Sequence, residues 1–309
     1  MQAFSTIITS DYVPYALALF HSYRRFLGVQ MQVLIIDDAD KVKSWNTLPA
    51  ELLITHLSDL DLDETGSAIV RKYKNNPEVL RWALKPIWLR WLLVSTNLEQ
   101  VFYVDADIYF FSDPRFLFVE LSESSILLCP HWRSIDPKAD PVNFELNFRD
   151  GIYNGGCIGV TRTGIPALDW LADVCRYECK MDYARGLFYD QKYLDLLPAR
   201  FSGVKCITHK GCNVANWNIV DCRRFEWTDD ILINGQDPIV FVHFTHSTIH
   251  GILNGSDGLL TNHLKEYEQA LRTFAPVPMD QFPDVSTARQ TRGFLSKVLA
   301  KLSGNKKHG

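Results

Sequence analysis

The sequence predicts an α/β fold in which helices flank a mostly parallel sheet, and three observations support this prediction. Residues 3–9 (AFSTIIT) and 31–36 (MQVLII) are short apolar runs of the kind that form buried strands. Between them, residues 13–27 have the spacing of a helix, so the three segments form a βαβ unit with parallel strands. In residues 101–111 (VFYVDADIYFF), nine of eleven residues are apolar or aromatic, which is typical of a strand buried on both faces.

The remaining elements follow from the same periodicities. Further strands are expected where short apolar runs are bounded by polar turns, at residues 52–54, 125–129, 157–161, 204–207 and 239–244. Helical periodicity covers residues 64–95, with expected breaks near residues 75–77 and at Pro86, and residues 166–179. Residues 136–150 and 211–218 are polar and predict connections. Ligands bind beyond the carboxyl ends of parallel strands, so residues 9–12, 37–38 and 105–107 are expected along one rim.

Composition limits the classes of protein to which the chain can belong. It has 309 residues, of which 47% are apolar and 22% are charged, as in a soluble globular protein with a large core. A net charge of −4 gives no reason to expect nucleic acid as a partner. Seven scattered cysteines without zinc-finger spacing are better explained as core thiols in a reducing cytoplasm. We find neither a signal peptide nor an apolar stretch of membrane-spanning length, so a cytoplasmic location is expected.

The composition changes near residue 274, which predicts two parts. Residues 1–274 are expected to form one catalytic domain, and residues 275–309 a proline-containing linker followed by a basic amphipathic tail. Apolar residues at helical spacing and four lysines between residues 293 and 307 have two interpretations. The tail either contacts an anionic membrane surface peripherally, on the cytoplasmic side, or it is a solvated terminus.

The pair Asp105 and Asp107 is the first candidate site. Two carboxylates set so close together in an apolar strand repel each other and are costly to bury, so a cation is expected between them. Mg²⁺ and Mn²⁺ prefer such oxygen ligands and are commonly held beside substrate phosphates. The alternative is a strand end whose carboxylates meet solvent or cap the next element.

Other candidates also have two interpretations. Arg81 and Lys85 share one helical face, either to bind phosphate or as a solvated basic surface. His243, on an apolar strand, is either a core histidine or a metal ligand. Asp190 either caps the following helical stretch or belongs to a catalytic site.

Together these motifs resemble nucleotide-sugar-dependent glycosyltransferases. The resemblance spans about residues 3–250 and is carried by TSDY after the first strand, LKP at residues 84–86, YVDAD, YNGG, YDQ and the late VHF. The chain is most similar to the glycogenin and bacterial lipopolysaccharide galactosyltransferase group, glycosyltransferase family 8. The resemblance implies a single GT-A (Rossmann-like) domain with a mixed, mostly parallel central sheet flanked by helices.

The resemblance also implies roles for individual residues. The implied donor site consists of Thr9, Asp11 and Tyr12 at the nucleotide base, Arg81 and Lys85 at the diphosphate, and Asn154, Gly155 and Gly156 beside the transferred sugar. The implied metal, Mn²⁺ or Mg²⁺, is held by Asp105, Asp107 and His243, and the implied catalytic pair at the anomeric carbon is Asp190 and Gln191. The implied reaction transfers a sugar from a donor, UDP-linked by resemblance, to a hydroxyl of a glycan or glycolipid, with retention of configuration.

One departure from the family pattern lies after His243. The family continues with a glycine and a phosphate-binding lysine, where this chain has His246 and Ile249. In the polar run at residues 211–218, Asn213, Asn216 and Trp217 either contact the donor or acceptor or anchor the loop.

Two other functions are also kept as alternatives, the first because its enzymes likewise use an apolar strand that ends in two aspartates separated by one residue. A haloacid-dehalogenase-type phosphatase would use Asp105 as its nucleophile, with Asp229 and Asp230 as the acidic partner motif, and an inactive sugar-nucleotide-binding protein would keep the same fold.

Overall fold

The computed structural model describes residues 1–37, 48–228 and 230–274. Its strands are β1 (Gln2–Ile8), β2 (Gln30–Ile35), β3 (Leu52–His56), β4 (Gln100–Val104), β5 (Ile108–Phe110), β6 (Ile126–Pro130), β7 (Tyr153–Thr161), β8 (Met181–Asp182), β9 (Leu187–Phe188), β10 (Val204–Cys206), β11 (Arg224–Trp227), β12 (Asp230–Ile233), β13 (Asp237–Pro238) and β14 (Phe241–His243). Its helices are α1 (Val13–Arg24), α2 (Glu64–Tyr73), α3 (Pro77–Ser95), α4 (Arg115–Ser122), α5 (Pro141–Arg149), α6 (Ile165–Tyr177), α7 (Leu197–Arg200), α8 (His246–Leu253) and α9 (Thr261–Phe274).

A seven-stranded sheet forms the centre of the fold. Its order is β10-β6-β7-β4-β1-β2-β3, and among these strands β7 runs antiparallel to both of its neighbours while the other pairs are parallel. The predicted mixed, mostly parallel sheet is therefore confirmed. The parallel strands β1, β2 and β4 end at the same edge, which is where open α/β sheets bind ligands.

Strand β4 shows why the sheet is buried on both faces. Val101 and Tyr103 pack on one face in a core shared with α2, α3 and α6. Phe102 and Val104 pack on the other face with α1 and α4. Alternate side chains of a strand point to opposite faces, so a strand covered by helices on both sides is apolar throughout.

The structure corrects the prediction of one strand over residues 101–111. The chain turns after β4, and Ile108 N donates to Asp105 O at 3.1 Å within that turn. Strand β5 then leaves the large sheet and pairs antiparallel with β14. A turn is less costly than a continuous buried strand because it lets Asp105 and Asp107 reach the cleft, each more than a quarter exposed.

Two further predictions about local structure were wrong. Helix α3 runs through Pro86 without a break, because Pro86 is buried in a helix whose packing outweighs the one hydrogen bond that proline removes. The polar connection predicted for residues 136–150 contains α5. Asp140 caps this helix by accepting from Asn143 N, and Pro141 follows at its first position, a start signal that is visible in the sequence.

Some predictions fall on parts of the chain that the structure does not describe. They are Asp38, Asp229, and the linker and basic tail over residues 275–309, so the membrane contact of the tail stays a prediction. Within the described residues, no helix combines the length and the apolar character needed to cross a membrane. The seven cysteines are all free thiols, six of them buried, as expected of core residues.

Candidate active site

Two carboxylates and one imidazole meet beyond the end of β4. Asp105 and Asp107 lie in the turn between β4 and β5, and His243 ends β14, the strand paired with β5. One ligand atom from each of the three residues lies within 4.8 Å of the others. His243 Nε2 is 3.1 Å from Asp107 Oδ1 and 3.8 Å from Asp105 Oδ2. Two carboxylates and an imidazole suit a divalent cation, so these residues fit the metal implied by the sequence.

The electrostatics of the cluster favour an ionised carboxylate. Burial alone would raise the pKa of Asp107, but His243, the Asp107 backbone and Arg81 outweigh burial and lower this pKa. The second carboxylate is oriented by a neighbouring side chain, because the Tyr103 hydroxyl donates to Asp105 Oδ1 at 2.8 Å. The lowered pKa of Asp107 and the fixed orientation of Asp105 both favour the binding of a cation.

Gly156 has no side chain, and this leaves room for the carboxylate of Asp105 and the ring of His243. A β-carbon at this position would lie 2.5 Å from Asp105 Oδ2 and 2.7 Å from Cε1 of His243, closer than side chains tolerate. At the neighbouring Gly155 the nearest atom would be Lys85 Nζ at 3.3 Å, a contact that requires a shift of only a few tenths of an ångström. Only glycine at position 156 allows the backbone to approach the candidate ligands so closely.

We therefore expect Gly156→Ala to lower the affinity for Mn²⁺ by at least about tenfold, the effect of displacing a group that orients metal ligands. The matched control is Gly155→Ala, which adds the same methyl group one residue away and is expected to keep the affinity within about threefold of the original. Titration calorimetry with Mn²⁺ measures both. Equal affinities in the two variants would contradict the assignment of the cluster.

A buried ion pair lies beside the cluster. Lys85 Nζ is 3.0 Å from Asp190 Oδ2 and donates to Gly155 O at 2.9 Å, and the two side chains are 4% and 9% exposed. Burial alone would lower the pKa of Lys85, but the attraction of Asp190 and Asp105 outweighs it, so this pKa is raised and the ammonium stays charged. Lys85 thus connects α3, the loop at Gly155 and the carboxylate of Asp190.

Gln191 and Arg81 extend the site on either side of this pair. Gln191 Oε1 accepts from Gly155 N at 3.0 Å, and its Nε2 donates to Asp150 O at 2.9 Å. One turn before Lys85, the guanidinium carbon of Arg81 lies 4.8 Å from the ring centre of Tyr12. Arg81 Nε is buried and has no hydrogen-bond partner among the described residues. An unpaired buried donor on a cleft wall is available to an oxygen of a ligand.

These side chains line one cleft with a volume of about 430 Å³. Of the residues predicted from the sequence, it is lined by Tyr12, Arg81, Lys85, Asp105, Asp107, Asn154, Gly155, Gly156, Asp190, Gln191 and His243. Thr9 and Asp11 are not among the described residues of its lining. Thr9 O accepts from Tyr12 N in the turn that follows β1, and the Asp11 side chain is exposed. The structure therefore brings together all the predicted groups except these two.

Several residues of the cleft were missed by the sequence analysis. Arg133 and Asp150 form a buried ion pair at 3.2 Å, and Arg133 also donates to Gly151 O at 3.1 Å. Burial raises the pKa of Asp150 and strongly lowers that of His131, which lines the same wall. Aromatic side chains complete the lining, namely Trp82, Phe188, Tyr189 and Trp217. Trp217 was named from the sequence, as one of several loop residues that contact a ligand or anchor the loop, and Tyr189 belongs to the YDQ motif. Trp82 and Phe188 carry no recognisable motif.

The departure after His243 has a clear structural outcome. His246 begins α8 and lines the cleft, whereas Ile249 packs against the apolar core formed by Val214, Phe244 and their neighbours. Position 249 therefore contributes to the core rather than supplying a cation to the cleft.

Comparisons with known proteins agree with this architecture. No protein-family model matches the sequence. Two uncharacterized proteins of Bacillus subtilis (strain 168) are similar to it. YfnF is 29% identical over 317 residues, covering 96% of this chain and 98% of YfnF. YfnD is 27% identical over 254 residues, covering 80% of this chain and 78% of YfnD.

One similar solved structure is the galactosyltransferase LgtC in complex with donor and acceptor sugar analogs. The TM-score is 0.55 at 12% sequence identity, and the match covers 91% of this chain and 98% of LgtC. At this identity the likeness concerns the fold, and the protein has the α/β architecture of GT-A glycosyltransferases.

Proposed function

We propose that this protein is a metal-dependent glycosyltransferase of the family 8 type. It transfers a sugar from a UDP-linked donor to a hydroxyl group of a glycan or glycolipid and retains the anomeric configuration. The observation that carries the proposal is the cluster of Asp105, Asp107 and His243 at the carboxyl end of β4, in the same cleft as the Lys85–Asp190 pair. The GT-A fold of the chain supports it.

The leaving group is the part of the substrate with the most charge to stabilise. When the bond between sugar and diphosphate breaks, its electron pair stays on a phosphate oxygen. Mn²⁺ or Mg²⁺ held by Asp105, Asp107 and His243 would supply positive charge to that oxygen. The protein adds Arg81 Nε and Trp217 Nε1, two buried donors without partners among the described residues, on the wall of the same cleft.

Asp190 and Gln191 face the transferred sugar in the proposed complex. Burial raises the pKa of Asp190, and the ammonium of Lys85, which bonds to one of its carboxyl oxygens, opposes that rise. The carboxylate form of Asp190 would stabilise the positive charge that develops at the anomeric carbon. Gln191 is held by Gly155 N and Asp150 O, so its amide dipole is fixed before the substrate binds. The acceptor oxygen then bonds to the anomeric carbon on the face that the diphosphate leaves, and its proton passes to a phosphate oxygen. This route accounts for retention.

The structure does not favour the phosphatase alternative. Asp229 lies outside the described residues, and the Asp230 side chain is 65% exposed and close to His263 on α9. Asp230 is not among the described residues that line the cleft with Asp105. An inactive sugar-nucleotide-binding protein would have no need of the buried Lys85–Asp190 pair beside the sugar.

Thermal denaturation with a panel of nucleotide sugars, each with and without Mn²⁺, tests the proposal directly. A ligand that binds only the folded state raises the melting temperature, so a UDP-linked sugar should raise it in the presence of Mn²⁺ and much less without it. The matched control is the same sugar as its 1-phosphate, which lacks the nucleotide. A melting temperature unchanged by every nucleotide sugar, or raised equally without the cation, would contradict the proposed function.

A further inference from the structure

The ion pair of Arg133 and Asp150 borders the part of the cleft that is proposed to hold the transferred sugar. Both side chains line the cleft, and Gln191 Nε2 donates to Asp150 O at 2.9 Å. Under the proposed function, the nucleotide lies along Tyr12 and Arg81, which stack on each other. The ion pair adjoins Gln191 instead, so it borders the space that is left for the acceptor.

The ion pair is buried, although burial of this kind contributes little to stability. The side chains of Arg133 and Asp150 are only 6% and 10% exposed. The free energy needed to remove two charges from water commonly exceeds what their attraction returns, and apolar residues of similar size are often at least as stable. A buried ion pair on the wall of a cleft, which stability does not require, indicates a role in binding.

Arg133 has hydrogen-bond donors that the described residues do not use. Its Nη1 donates to Leu146 O at 3.2 Å and to Gly151 O at 3.1 Å, and its Nη2 donates to Asp150 Oδ2 at 3.2 Å. A guanidinium carries more N–H groups than these bonds occupy. Its Nε is buried and has no hydrogen-bond partner among the described residues. A buried donor without a partner is costly, and an oxygen of a ligand in the cleft would satisfy it.

Asp150 has unused acceptor capacity beside these donors. Its Oδ1 accepts from the Tyr183 hydroxyl at 3.2 Å, and its Oδ2 accepts from Arg133. Each oxygen of a carboxylate can accept a second bond. The ring of Tyr183 also stacks on that of Phe188, with 5.9 Å between the ring centres, and Phe188 is half-buried on the cleft wall. Donors, acceptors and an aromatic face therefore adjoin one another.

A neutral sugar ring matches this set of groups. Each of its hydroxyls both donates and accepts, so neighbouring hydroxyls can bond to Arg133 and Asp150 together. The C–H groups on one face of the ring can pack on an aromatic side chain such as Phe188. An anionic group matches the wall poorly, because Asp150 already balances the charge of Arg133 and a desolvated anion needs a cation of its own.

We propose that Arg133 and Asp150 bind the hydroxyls of a neutral sugar unit of the acceptor, with Phe188 against the face of its ring. The ion pair thereby selects an uncharged sugar over one that carries a carboxylate. This assignment rests on the proposed function in placing the nucleotide along Tyr12 and Arg81. It adds the chemical class of the sugar unit that receives the transfer.

Saturation-transfer NMR on the unaltered protein tests the chemical class. The probes are the methyl glycosides of glucose, galactose and mannose, each compared with the corresponding methyl uronide and measured with UDP and Mg²⁺ present. At least one neutral glycoside should receive saturation from the protein and bind more tightly than its uronide. If no neutral glycoside binds, or if the uronides bind equally or more tightly, the proposal is wrong.

Arg133→Lys tests the assignment of the residue. Lysine keeps a positive charge beside Asp150 and loses the planar guanidinium with its unused donors. We expect the affinity for the glycoside that binds most tightly to fall about fivefold, the factor that corresponds to one net hydrogen bond of about 1 kcal/mol. An unchanged affinity would overturn the assignment.

The matched control is Arg149→Lys. Arg149 is exposed, its guanidinium carbon lies 4.1 Å from the ring centre of Tyr183, and it is not among the described residues that line the cleft. Its affinity for the same glycoside should stay within about twofold of the original, because exposed charges contribute little. An equal fall in both variants would show that any change behind Tyr183 is sufficient, and would overturn the role of Arg133.

Calorimetry with UDP and Mg²⁺ separates this proposal from the proposed function. Arg133→Lys is expected to bind UDP as tightly as the unaltered protein does, and a parallel loss of UDP and glycoside binding would overturn the assignment of Arg133 to the acceptor. If the unaltered protein binds UDP but no neutral glycoside, this proposal alone is wrong. If it binds a glycoside but not UDP, the proposed function is contradicted while the ion pair keeps its role in binding a sugar.

Discussion

Asp107→Asn should lower metal-dependent turnover of the nucleotide sugar by at least about a hundredfold, the loss typical of one key electrostatic group in an active site. The substitution keeps the size of the side chain and removes its charge. Asp107 lies 3.1 Å from His243 and has a pKa lowered by it against the effect of burial, so its charge is part of the site before any ligand arrives. Initial rates at saturating donor, measured over a range of Mn²⁺ concentrations, determine the loss.

The matched control for this prediction is Asp113→Asn. Asp113 follows β5 by three residues and pairs with Arg115 on the surface, so it tests the removal of a nearby negative charge outside the cleft. Its turnover should stay within about twofold of the original, because exposed ion pairs contribute little. Should Asp107→Asn retain most of its turnover at low Mn²⁺, the carboxylate has no role in holding a cation and the proposed mechanism is wrong.

The fold was predictable wherever local pattern and burial agree. Apolar runs bounded by polar turns identified the strands of the large sheet, because a strand covered on both faces has to be apolar. The errors arose where tertiary structure decides. The residues on both sides of Asp105 and Asp107 are apolar. This sequence would look the same whether one strand continues through the two aspartates or the chain turns there into a second sheet. In the same way, α3 continues past Pro86 because it packs against α2 and α6, and the local sequence around Pro86 does not indicate this packing.

The candidate site was predictable to the extent that its chemistry is local in sequence. Two aspartates separated by one residue, and the glycines at positions 155 and 156, leave a recognisable pattern. The Arg133–Asp150 pair leaves none, because its residues are 17 positions apart and look like ordinary surface charges until the fold buries them. Asn213 was named from the sequence as a residue that contacts a ligand or anchors its loop, but its partners Pro130 and Asn154 are each more than fifty residues away, so only the fold reveals them.

Lys85→Met is expected to lower the free energy of unfolding by about 3–5 kcal/mol, because it leaves the carboxylate of Asp190 buried without its partner. Methionine keeps the length of the side chain and removes the charge, and Gly155 O also loses the donor that Lys85 Nζ provides. Urea denaturation at neutral pH measures the change. The effect should exceed that of Lys72→Met, in which the lysine pairs with Glu178 at 3.6 Å and its side chain is 38% exposed.

The double variant Lys85→Met with Asp190→Asn separates stability from catalysis. Removing both charges takes away the unpaired ion, so the double variant should recover most of the lost stability, and the difference from the sum of the single variants measures the coupling. Turnover should nevertheless be abolished in the double variant, because Asp190 is the proposed stabiliser of charge at the anomeric carbon. Full recovery of turnover together with stability would make the pair purely structural. A double variant as unstable as Lys85→Met alone would mean that the cost lies in lost packing around Lys85 and not in the unpaired charge of Asp190.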